Sequence, residues 1–379
     1  MTLSRFAKVI LLALCVCFAE QSVCAQVFSV LHTFTDGHDG GQPLDRLALD
    51  SSGNLYGTTY SGGDFGPGNV FKISASGEFT VLYSFTGGLD GGQPVGGVIL
   101  DRSGNLYGTT FHGGTADCGV VFKLSPSREE TVLYSFGCTP DGANPTAGQV
   151  RDGKGNLYGI TQHGGASNHG TVFKLDKKGT ETILHSFTGS PDGSSPYAAL
   201  IRDSKGNLYG TTGGGGVSDY GIIFKIDVNG TETVLYRFRG GHDGGTPFGG
   251  VIRDSKGNLY GTTQGPSFGL VYKLDSSGKE TPLYTFSGGS DGGFPMTDLT
   301  RDSKGTLYGT TYHGGIYSQG TVFKLDKKGN ESVLHSFTLT SDGANPLAGV
   351  VRDAAGNLYG TTDDGGDSSN SGVVFKVAP

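Results

Sequence analysis

The stretch Gly53-Asn54-Leu55-Tyr56-Gly57 decides the fold, because it returns around Tyr107, Tyr158, Tyr209, Tyr260, Tyr308 and Tyr359, with Thr306 replacing the asparagine in the sixth copy. Successive tyrosines are 51 residues apart, apart from one interval of 48. A fixed period of this size is the mark of a propeller or a solenoid, in which each unit buries its apolar faces only against its neighbours. Seven copies mean seven units and one domain, although 379 residues would otherwise suggest two or three.

Outward from the tyrosine, each unit holds four short apolar runs, which in the third unit are 146–152, 156–161, 171–176 and 182–187. Valine, isoleucine, threonine, tyrosine and phenylalanine fill them, and their lengths suit strands. Turns of the forms Asp-x-x-Gly-Asn, His-Gly-Gly and Asp-x-x-Gly separate them, so each unit reads as an antiparallel meander of strands a to d. The 69 glycines fall in these turns without the every-third-residue period of collagen.

The chain ends decide between ring and open stack. Residues 27–34 read as a strand d with no a, b or c before it, and 372–377 as a strand c with no d after it. Pairing the two builds the seventh blade from both ends and leaves no exposed end. The expected fold is therefore all-β: a seven-bladed propeller over 26–379, with four-stranded antiparallel blades and the N-terminal strand d completing the last.

Ahead of it, 1–25 carries Arg5 and Lys8, an apolar run and Val23-Cys24-Ala25, the pattern of a secretory signal peptide. The net charge is −7, and loss of Arg5, Lys8 and Glu20 with the leader makes it one unit more negative. Nucleic acid and anionic membrane surfaces are disfavoured as partners, no later segment is apolar enough to insert in a membrane, and a secreted or periplasmic monomer is expected.

From the strand-d phenylalanine to the next repeat tyrosine is 22 residues in every unit, and only the b–c connection changes length. In a meander the b–c and d–a connections share one rim, which is the expected binding surface. Its variable loops carry the aromatics Phe65, Tyr220, Phe268 and Tyr317.

Catalysis needs different groups in different roles, so a site must break the sevenfold pattern. In strand a, a position that is glycine or alanine in five blades becomes Arg46 and Asp298 in blades 1 and 6, beside Asp45. These three are candidate ligand-binding residues near the channel, and an ion pair across its mouth is the plain structural alternative. The turn aspartates Asp39, Asp90, Asp141, Asp192, Asp243, Asp291 and Asp342 read as turn caps; pointing inward they would form a carboxylate ring able to hold a cation. His112, His163 and His313 precede Gly-Gly turns in blades too far apart for one metal site. No catalytic set, metal site or cofactor motif emerges.

Cys118 precedes strand c of blade 2 and Cys138 follows its strand d, on one rim. Antiparallel neighbours bring such positions together, and export supplies an oxidising compartment, so a disulfide is expected.

With Gly-Asn-Leu-Tyr-Gly-Thr-Thr, Gly-x-Val-Phe-Lys-Leu and Val-Leu-Tyr-Ser-Phe in each period, the chain resembles the bacterial GloVer (Gloeo/Verruco) tandem-repeat proteins over 27–377. The resemblance implies an exported protein, without implying an activity, and often a C-terminal surface anchor. Since 379 directly follows strand c, release to periplasm or medium is expected here. Two functions fit: non-catalytic binding of an extracellular protein or polysaccharide on the variable rim, or an extracellular polysaccharide-active hydrolase or lyase with its site near the central channel.

Overall fold

The computed structural model describes residues 26–265 and 267–379; the leader read from 1–25 lies outside them. Seven four-stranded antiparallel sheets form, one per repeat. In blade 3 strands a to d are Val150–Arg151, Leu157–Thr161, Thr171–Leu175 and Glu181–Ser186. The last blade is assembled from both chain ends: Val27–Thr33 pairs antiparallel with Val373–Ala378, Val27 opposite Ala378 and Thr33 opposite Val373. The ring closes as the strand fragments require.

What joins blade to blade is an aromatic belt. Each strand-d phenylalanine is buried and meets the strand-c aromatic of the next blade edge-on, from Phe34 on Phe71 at 5.3 Å between centroids to Phe337 on Phe375 at 5.2 Å. Such contacts add about 0.5–1.5 kcal/mol each beyond the area they bury. The second glycine of the founding motif makes room for this belt: a Cβ on Gly57 would sit 2.5 Å from the Phe71 ring, and Gly360 stands in the same relation to Phe375.

Strand a is shorter than its apolar run predicts, since only its last two residues pair with strand b. Nearer the variable rim the segment is held by the preceding blade instead. The Thr109 hydroxyl donates to the Ala147 carbonyl at 3.2 Å and that of Thr310 to Ala348 at 2.8 Å. Seven strands converging on an axis crowd there: a Cβ on Gly96 would meet the Ala147 backbone at 2.5 Å. Small residues and inter-blade bonds replace the regular ladder.

On the variable rim the two kinds of loop pair with one another. Short bridges join each d–a loop to the next b–c loop, as in Gly41 with Ser61, Ala143 with His163 and Ala344 with Asp364. His112, His163 and His313 all stand in these bridges, which accounts for their place ahead of Gly-Gly. The rim is a laced backbone carrying variable side chains.

Candidate functional site

The two aspartate sets serve the scaffold. In the Asp-x-x-Gly-Asn turn, Asp50 accepts the backbone N–H groups of Ser52 and Asn54, both at 2.9 Å, and the Tyr56 hydroxyl at 3.2 Å. The second set turns outward to strand d: Asp141 accepts the Tyr134 hydroxyl and the Gly137 N–H, and Asp39 lies 3.1 Å from His32 Nε2. A Tyr or His of strand d claims the carboxylate in all seven blades, so these groups form no ring at the channel mouth. Among the described residues no group of three or more His, Cys, Asp or Glu is placed to hold a metal ion.

Arg46, Asp45 and Asp298 do come together, at a waist inside the channel. The plain alternative, an ion pair, is not what forms: the Arg46 guanidinium bonds neither aspartate and instead donates through Nη2 to the Thr300 hydroxyl of blade 6 at 2.8 Å. The aspartates are taken by backbone. Asp45 accepts the N–H of Gly97 in blade 2 and, at 2.6 Å, that of Arg46; Asp298 accepts the N–H of Gly250 in blade 5 at 2.5 Å. Each carboxylate thus satisfies a strand-a amide that the ladder leaves free. Burial, opposed by these bonds, pushes the Asp45 carboxyl up to about 6.

Asp45, Ala199 and Asp298 separate two chambers. The upper one, about 170 Å³, opens to the variable rim and is lined by the residue following each strand-a proline: Leu44, Val95, Thr146, Tyr197, Phe248, Met296 and Leu347. The Tyr197 and Phe248 rings lie 4.7 Å apart and make one side aromatic. The lower chamber, about 360 Å³, faces the a–b turns and has mainly aliphatic walls.

The four rim aromatics fall into two kinds. Phe65 and Tyr317 stand free, 65% and 56% exposed. Tyr220 and Phe268, each 40% exposed, cover glycines of the adjoining d–a loop: a Cβ on Gly240 would be 2.2 Å from the Tyr220 ring, and one on Gly288 2.3 Å from Phe268. They occupy the repeat position of Cys118, whose disulfide to Cys138 spans a Cα separation of 5.5 Å. Ring on glycine and disulfide are alternative staples for one junction.

The profile of the Gloeobacter/Verrucomicrobia repeat matches this chain over 20–145, 68–268 and 199–379. The chain belongs to that family. No curated protein matches it in sequence. Among solved structures it is similar to virginiamycin B lyase from Staphylococcus aureus, with a TM-score of 0.63 at 12% identity, covering 93% of this chain and 99% of that one. The extracellular domain of a putative hybrid two-component system from B. thetaiotaomicron gives 0.60 at 12% identity, covering 92% of this chain and 39% of that one. A putative 6-phosphogluconolactonase from Bacteroides uniformis gives 0.53 at 16%, covering 81% and 88%. At such identities the Gloeobacter/Verrucomicrobia repeat shares with them a fold, which hosts unrelated functions.

Three features of this repeat protein escape a search for charged departures alone. The mouth ring beginning at Leu44 was signalled by a position that changes chemistry from blade to blade behind a constant proline. Gln149 stands where Leu47, Val98, Leu200 and Val251 stand in other blades, and is 2% exposed. Leu49 and Leu100 replace an arginine that in five blades stacks on the preceding blade's repeat tyrosine, as Arg151 does on Tyr107 at 5.3 Å. Without that arginine, Lys72 covers Tyr56 at 5.7 Å and Lys376 covers Tyr359 at 5.8 Å.

Proposed function

We propose that the protein is an exported, non-catalytic scaffold that binds an extracellular protein through its b–c and d–a rim. The observation that carries this reading is the set of large apolar side chains held out from laced loops: Phe65, Tyr317, Ile316 at 73% exposure and Val217 at 72%. Solvating them is unfavourable, and a stiff loop loses little entropy when they dock, which is how anchor residues act in protein interfaces. The mixture of aliphatic and aromatic anchors suits a protein partner better than a sugar polymer. Export is supported by the leader pattern and by the Cys118–Cys138 disulfide, which suits an oxidising compartment. No helix among the described residues is long and apolar enough to cross a membrane.

The second reading, a polysaccharide hydrolase or lyase at the channel, draws on the raised carboxyl of Asp45 beside Asp298. Both carboxylates already accept backbone N–H groups at the waist, which suits bracing better than proton transfer to a polymer.

The test immobilises the mature chain by its a–b rim and offers exported proteins and, separately, soluble polysaccharides. A protein retained by the wild type and lost by Phe65→Ala/Ile316→Ser/Tyr317→Ala at unchanged Tm is expected. Retention of a polysaccharide alone would replace the protein partner with a glycan, and equal retention by the variant would remove the rim from consideration.

A further inference from the structure

Charge is divided between the two rims. The b–c loops, and the d–a loops as far as the strand-a proline, carry fourteen aspartates, no glutamate and no lysine. Their one arginine is Arg239, with Arg237 beside it at the end of strand d. Every lysine of 26–379 stands toward the other rim, in an a–b turn, in a c–d turn or near the end of strand c, as Lys154, Lys177 and Lys72 do. A channel mouth set among charges of one sign and walled by protein concentrates counter-ions at its opening. The variable rim therefore draws cations to the upper chamber.

The chamber continues the same sign and adds an aromatic wall. Asp45 and Asp298 stand at its floor, and no lysine, arginine or histidine lines it. Both oxygens of Asp45 are taken by backbone N–H groups. Asp298 gives only Oδ1 to the Gly250 N–H; among the described residues nothing bonds Oδ2, and that oxygen is not sealed in the core but open to the channel that Asp298 lines. The waist is also short of one positive charge, since Asp45, at about 6, is ionised at neutral pH with Asp298, while Arg46 is the single cation and lies on the lower side, tied to Thr300. Above the floor the aromatic residues come from blades 4 and 5, next to the blade that supplies Asp298: Tyr197, held by Gln162 Nε2 at 2.9 Å on its hydroxyl, and Phe248, with Met296 two residues above Asp298 itself. Ring faces attract a cation, and a carboxylate oxygen without a donor calls for one.

We propose that the upper chamber is a site for a small protonated alkylamine, whose N–H groups donate to Oδ2 of Asp298 and whose carbons next to the nitrogen lie against the rings of Tyr197 and Phe248. An anion meets two carboxylates there, and a neutral apolar molecule leaves Oδ2 without a donor. The volume of about 170 Å³ equals the liquid share of about half a dozen waters, which suits an amine of about five carbons and excludes a folded chain. Free amines and the lysine side chain carry this same ammonium group. The site lies inside the mouth, so it does not rest on a protein partner for the rim.

The experiment titrates the intact mature protein at neutral pH and fixed ionic strength with butylammonium, cyclohexylammonium, n-pentanol and pentanoate, followed by calorimetry and saturation-transfer NMR. Asp298→Asn keeps an acceptor for the Gly250 N–H and removes the charge, and Phe248→Leu introduces the residue that blades 1 and 7 carry at that level as Leu44 and Leu347. Asp227→Asn, in an exposed c–d turn of the other rim, is the control for a change in net charge alone. Saturable binding of both amines is expected, at least tenfold tighter than the alcohol or the carboxylate, weakened at least tenfold by Asp298→Asn and about threefold by Phe248→Leu, and unchanged in the control. Nα-acetyl-lysine methylamide separates the two sources: binding like that of butylammonium shows that a lysine of a docked protein reaches the site, and no binding restricts it to free amines. The proposal is overturned if neither amine binds saturably, if n-pentanol or pentanoate binds as tightly, or if Asp298→Asn and Phe248→Leu, folded with the wild-type Tm, bind the amines as the wild type does.

Discussion

The ring of Phe28 lies flat on that of His335, with centroids 3.7 Å apart and planes 8° apart. Phe28 belongs to the first strand of the ring and His335 to strand d of blade 6, so this stack and the ladder to Val373–Ala378 fasten the N-terminal strand on two sides. Phe28→Ala should cost about 2 kcal/mol, below the 3–5 of a fully buried phenylalanine because the ring is only half-buried. A mature chain lacking 27–34 exposes strand edges in the last blade and should lose its single cooperative transition. Denaturant unfolding of both would check this, and an unchanged midpoint for the truncated chain would show that closure contributes nothing.

Replacing Gln149 by valine removes two unbonded polar atoms from the core and should raise stability by about 1–3 kcal/mol. Tyr272→Phe should act in the same direction and more weakly, since its hydroxyl is buried without a partner where the other six blades place phenylalanine. Urea midpoints at constant m-value are the measurement. A destabilised Gln149→Val would mean that ordered water already satisfies the amide.

Blade count, closure and the disulfide could be read from the sequence because each rests on a regularity: the return of Tyr56, the complementary ends, and the antiparallel placement of Cys118 and Cys138. Side-chain direction at the irregular positions could not. Arg46 next to Asp45 suggests an ion pair, yet the Gly97 and Gly250 amides, left free by the crowded strand a, claim the carboxylates first. Tyr220 and Phe268 resemble Phe65 in a list of loop aromatics, and only the glycines beneath them show that they are staples. Gln149 was visible as a polar residue in an apolar column, and the missing signal was that its amide finds no partner.

Stability should peak on the acid side of neutrality. Glu130, Glu181, Glu280 and Glu331 open strand d, and burial, then the charge of the preceding blade's turn aspartate, lifts each carboxyl from 4.5 to about 7. One oxygen of each is buried without a partner. Since the folded value exceeds the unfolded one, the folded state binds more protons, and the stability is full below about 4.5 and declines as pH rises through about 7. Tm should therefore fall between pH 5 and pH 8, and the fourfold Glu→Gln variant should flatten that slope. A wild-type Tm that rises over this range would contradict the assignment.

The junction between a b–c loop and the following d–a loop has interchangeable solutions. Cys138 adopts φ 67°, at a position that is glycine in four other blades, among them Gly240 at 72° and Gly288 at 75°. Cys118→Ala/Cys138→Ala should lose about 3 kcal/mol from opening a loop with a sequence separation of 20, since alanine holds the same left-handed backbone as the cysteine it replaces. Cys118→Tyr/Cys138→Gly instead carries the Tyr220-on-Gly240 pair into blade 2: glycine takes the positive φ freely and the ring covers it. This variant should recover at least half of the loss, and its Tm should be the same with and without reductant, whereas the wild type should drop on reduction. If the tyrosine–glycine pair is no more stable than the double alanine variant, the ring at Tyr220 covers the rim without stapling it.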